Sequence, residues 1–120
     1  MRIGLALALI SLSASATPLR DLIEMVEPEY QDVASLGGEA ESLYMAIQNP
    51  VGGSGQESAA QEFEAVEGIT RSMYAYALAQ QAYFANGHSR PEEAVVLLRR
   101  IAEEFASVPE VAMLAELEIG

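Results

Sequence analysis

Leu19, Leu22, Ile23 and Val26 recur at spacings of three, one and three residues, the apolar stripe of a helix. Thr17 stands before them as an N-cap, with Pro18 in the first turn and Asp21 and Glu24 near the positive end of the dipole. Pro28 lacks an N–H and disfavours a helical Glu27, so the helix ends or kinks there. Tyr30, Val33, Ala34 and Leu36 predict a second short piece, stopped by Gly37-Gly38. Residues 39–48 predict a short helix with Leu43, Tyr44 and Ile47 on one side, and residues 49–57 a glycine-rich loop. A capping box of Ser58 and Gln61 opens a helical stretch reaching Asn86-Gly87. Its seam runs through Val66, Ile69, Met73, Tyr76, Gln80 and Tyr83, and Gly68 is the place for a break into two helices. Ser89-Arg90-Pro91-Glu92 starts a helix carrying Ala94, Leu98, Ile101 and Phe105. Ser107-Val108-Pro109-Glu110 starts a last one, with Val111, Leu114, Ala115 and Leu117. No segment alternates as a strand does. The pattern predicts an all-α fold, a helical bundle or short α-solenoid of about five helices.

The first sixteen residues follow a different logic. Arg2 precedes an uncharged apolar run over residues 3–12, followed by the small residues of Ala14-Ser15-Ala16. This is the order of a secretory signal with an A-x-A cleavage site. The run is too short to span a bilayer core, which takes about 20 residues. The expectation is a signal peptide at 1–16, a single helical domain at 17–120, and a periplasmic or secreted location. The competing reading keeps the segment as an N-terminal helix.

Composition narrows the chemistry. The chain of 120 residues is one domain at most. Without cysteine it has no disulfide, thiolate nucleophile or cysteine zinc site, and without lysine no Schiff base. Eighteen acidic against six basic residues give a net charge of −12, which repels phosphate backbones and argues against nucleic-acid binding. Removal of residues 1–16 takes away one arginine and no acid, so no strong membrane-surface binding is expected after cleavage.

Within residues 73–119, Tyr76, Ala79, Tyr83, Gly87 and Ala94 stand in the order aromatic, small, tyrosine, turn glycine and alanine, with Leu98 and Ile101 beyond them. The order resembles a tetratricopeptide repeat, a helix-turn-helix unit of about 34 residues, close in flavour to repeats of bacterial envelope-assembly proteins. Gln80 stands where a small residue is expected, and the turn through His88-Ser89-Arg90-Pro91 is about two residues longer than the usual one. The resemblance implies a scaffold or adaptor that binds proteins. One helix pair buries too little surface alone, so the N-terminal helices are expected to cover one open side. The C-terminal helix is expected to lack a partner beyond it, which leaves that end open to another copy or another protein.

Candidate chemistry is sparse, and the reading is of a protein that is not an enzyme and takes no cofactor or metal. His88, the one histidine, falls in a turn and reads as a solvent-exposed residue rather than a base or ligand. The acidic groups Glu24, Glu27, Glu29 and Asp32, then Glu62, Glu64 and Glu67, then Glu92, Glu93, Glu103 and Glu104 read as solvated helix faces. The aromatic group Tyr74, Tyr76, Tyr83 and Phe84 is the candidate site for a protein or peptide partner, a basic one given the charge. Tyr76 and Tyr83 share the seam and are expected in the core, with Tyr74 offset and facing outwards.

Overall fold

Thr17 caps the first helix: its Oγ1 accepts from the Arg20 N–H at 3.1 Å. The computed structural model describes residues 17–49 and 55–120. The signal-peptide reading of 1–16 and the centre of the glycine-rich loop, 50–54, lie outside the described residues. Helix α1 (Pro18–Val26) ends where Glu27 turns extended ahead of Pro28, and buries Leu19, Leu22 and Val26. Helix α2 (Tyr30–Ala34) stops before Gly37, whose φ of +120° is glycine territory. Helix α3 (Gly38–Gln48) buries Ala40, Tyr44 and Ile47.

Helix α4 (Gly55–Glu64) starts three residues ahead of Ser58, so the glycine-rich loop is shorter than 49–57 and Ser58 is not its cap. Gly68, at φ +89°, breaks the long predicted stretch as expected. Helix α5 (Arg71–Gly87) then restarts from Thr70, whose hydroxyl accepts from the Met73 N–H at 3.1 Å. Val66 and Ile69 therefore lie in the turn between helices, not on a seam. Helices α6 (Pro91–Glu104) and α7 (Pro109–Ile119) each open on a proline, with Arg90 and Val108 at the N-cap and no side-chain cap bond. Proline suits the first helical turn, so the cap falls on the residue just before it, and Ser89 and Ser107 stand one position too early.

The described residues thus form seven helices and no strand, more than the expected five because Pro28, Gly37 and Gly68 divide the chain so finely. Successive helices from α2 to α7 pack each on the next, and α1 returns to lie against α5 and α7. Helix α5 is central. It buries Met73, Tyr76, Leu78 and Gln81 together with five alanines, Ala75, Ala77, Ala79, Ala82 and Ala85. Small side chains let α1, α4 and α6 approach it closely. Tyr76 is fully buried against Tyr44 and Phe63, with ring centroids 5.7 and 6.4 Å away. Helix α6 turns the predicted stripe of Ala94, Leu98, Ile101 and Phe105 to the core.

The C-terminal helix does have a partner beyond α6. Helix α7 packs on α1, and the Leu19 N–H donates to Glu118 Oε1 at 3.0 Å, so a carboxylate from the last helix satisfies a free N–H of the first. Val111 and Ala115 are buried, whereas Met113 and Leu117 stay about half exposed.

Candidate functional site

Tyr83 lies seven residues beyond Tyr76 on α5, yet the two have opposite fates. Tyr76 is covered by Tyr44 and Phe63. At the level of Tyr83 the one ring nearby among the described residues is that of Phe84, at 5.5 Å and 74°. Tyr83 is 43% exposed, which corrects its assignment to the core: the stripe continues, but its cover does not. Phe84 is partly buried.

Two grooves flank this pair, and Tyr83 and Phe84 line both. The first, about 370 Å³, lies between α1, α3, the start of α4 and α5, with Tyr76 at its floor and Ile23, Ile47, Glu24, Glu27 and Arg20 around it. The second, also about 370 Å³, is walled by Leu19 of α1 and by Gly87 and His88 at the end of α5, with Glu118 of α7 at its edge.

A polar chain runs under the first groove. Tyr44 donates to the Pro28 carbonyl at 3.0 Å, and its hydroxyl lies 3.4 Å from Glu27 Oε2. Gln48 Nε2 donates to that same oxygen at 3.1 Å and to Tyr76 Oη at 3.3 Å. Burial, with Tyr76 and Glu27 adding to it, pushes the Tyr44 phenol from 10.0 up to about 12. Burial likewise raises Tyr76. A phenol that holds its proton more tightly when folded favours the folded state at every pH below its ordinary pKa. That advantage is lost as pH rises through the window from 10.0 to about 12. Alkaline unfolding is therefore expected to show a loss of at most about 1.4 kcal/mol per pH unit across that window. Tyr44→Phe should flatten the slope, as measured by urea titrations at stepped pH, and an unchanged slope refutes the assignment.

Tyr74 does not join the other three. It is half-buried on another side of α5, stacked on Phe105 at 6.4 Å, and its hydroxyl accepts from Arg100 Nη2 at 2.6 Å. This corrects its outward-facing assignment: the side chain is engaged by its own chain. Arg100 also donates to Glu64 at 2.8 Å, and Glu64 accepts from the buried Gln81 at 2.8 Å. The hydrogen bonds to Glu64 and Tyr74 raise the Arg100 guanidinium. This network ties α4, α5 and α6 together and is structural in character.

His88 lies exposed in the turn after α5, as its sequence position suggests, with Nδ1 3.3 Å from Glu57 Oε1. Arg90 pairs with the same carboxylate. Burial alone would raise Glu57, but the bonds from Arg90 and His88 outweigh it and hold the carboxyl below its ordinary value. Nothing local in the sequence marks this clasp, since Glu57 lies more than thirty residues from His88 and Arg90. Among the described residues no group of three His, Asp or Glu side chains converges as metal ligands, and no helix is long and apolar enough to cross a membrane. Compared with protein-family models, curated proteins and solved structures, the chain finds no match.

Proposed function

We propose that this chain is a non-catalytic protein-interaction module, a scaffold or adaptor of the bacterial cell envelope, acting in the periplasm or outside the cell. The observation that carries the reading is the Tyr83–Phe84 pair standing between two grooves. Aromatic side chains that are partly exposed beside concave surface are where partners gain most on desolvation. The tetratricopeptide-like order lends support, since Ala79, Ala94, Leu98 and Ile101 are buried on α5 and α6 and Gly87 ends the first helix of that pair. Export rests on Arg2, the apolar run over residues 3–12 and Ala14-Ser15-Ala16. A second reading makes the chain an accessory subunit of a larger envelope assembly that retains its N-terminal apolar segment. It is favoured by the single arginine, Arg2, ahead of the apolar run, a weak charged region for a cleaved leader.

Two measurements test the proposal. Intact mass of the protein from its native host is expected to show a chain starting at Thr17 in the envelope fraction. A chain beginning at Met1 or Arg2 there favours the accessory-subunit reading, and a cytosolic protein sinks both. A photoreactive amino acid at position 83 is expected to give a discrete protein adduct that the same group at Val96, exposed on α6, does not. Tyr83→Ala should then weaken that partner about tenfold while leaving the thermal midpoint near the parent value, because the side chain is already half in solvent.

A further inference from the structure

The partner's chemistry is written in the atoms that the first groove leaves unused, an inference that rests on the protein-binding reading above. Three glutamines line this groove, and two of them, Gln48 and Gln56, donate inside the protein. Gln48 Nε2 donates to Glu27 and Tyr76, and Gln56 Nε2 donates to the Ile47 carbonyl at 2.8 Å. Gln48 thereby has both N–H groups engaged and only its oxygen left to offer. Glu24 adds a carboxylate with no ion-pair partner among the described residues. Glu27 adds another, engaged through Oε2 by neutral donors alone. Arg20 is the one cation in the lining, against these two acids. The groove thus sets two carboxylates against one guanidinium, and its aromatic wall of Tyr83 and Phe84 can hold an alkyl stem or the face of a guanidinium.

The second groove differs. Leu19, Tyr83 and Phe84 make it mainly apolar, and its carboxylate, Glu118, already accepts from Leu19 N–H. The two grooves meet at the Tyr83–Phe84 ridge. We infer that the ridge is straddled by a partner segment carrying an arginine or lysine, whose charged head enters the first groove, and an apolar residue that enters the second. Charge complementarity commits the first groove to a cation, and the whole chain's net charge of −12 steers such a segment towards it.

The test uses the full chain against an immobilised library of acetylated, amidated nonapeptides with every position varied. Selected peptides are expected to carry arginine or lysine about two to four residues from an apolar side chain, the reach of an extended strand across the ridge. Replacing the selected arginine by citrulline, or lysine by norleucine, should weaken binding about tenfold to the parent chain. The same replacement should cost less than about twofold with Glu24→Gln/Glu27→Gln, since the coupling partner is then gone. Glu24→Gln alone gives an intermediate coupling and leaves the Tyr44–Glu27–Gln48 bonds untouched, so it decides the matter if the double variant melts early. Selection of acidic or purely apolar peptides, or an unchanged citrulline effect in both variants, overturns the inference. If no peptide is selected while position 83 still yields a protein adduct, the basic-segment inference falls and the interaction module stands. If the adduct is missing as well, both fall.

Discussion

Truncating Tyr76 to alanine is expected to cost about 3–5 kcal/mol, a large share of the roughly 5–15 kcal/mol that holds a small domain together. Its ring has no exposure and sits on the central helix, with Tyr44 and Phe63 packed against it from α3 and α4. Removal opens a cavity where three helices meet. Tyr76→Phe separates ring from hydroxyl: it keeps the packing and loses the bond from Gln48, at about 0.5–1.5 kcal/mol. Urea unfolding of both variants measures the two costs. An alanine variant within about 1 kcal/mol of the parent would mean that this cluster is not the centre of the core.

Leu98→Ala is expected to cost about 2–5 kcal/mol. The reason lies in the helix next door. Most of the residues that α5 buries are alanines, which have no rotamers with which to refill a hole. The surroundings therefore relax little, and the cost belongs in the upper half of that range. Val96→Ala, two residues earlier on the same helix and 59% exposed, should change stability by no more than about 0.5 kcal/mol. A reversed order would turn α6 around and expose the stripe that carries Leu98.

The same alanines explain what the sequence conceals. Amphipathic spacing revealed α1 and α6, because each has a wet side; Pro18 and Pro28 placed the ends of α1, and Pro91 the start of α6. Helix α5 has no exposed residue between Met73 and Ala82, so its hydrophobic pattern has no useful period there. The eye then follows the large residues from Tyr76 to Tyr83, and the real core face is made of small ones. The aromatic group was legible as residue types but not as geometry. Whether a tyrosine is covered depends on where α3 and α4 pass, and that separated Tyr76 from Tyr83 and drew Tyr74 to Phe105. Which lining groups stay free was less legible still, since it depends on which way Gln48 and Gln56 spend their nitrogens.

Helix α1 is the first described element to be synthesised and α7 the last, yet the two are tied through Leu19 and Glu118, ninety-nine residues apart. Each successive helix from α3 onwards can settle on its predecessor as it emerges, whereas α1 waits for α5 and then for α7. A product truncated before α7 leaves Leu19 without its acceptor and one flank of α1 bare, so that local opening of α1 becomes easier. Amide exchange in α1 is expected to accelerate sharply when the chain stops at Val108, while α3 and α4, which α7 does not touch, keep their protection.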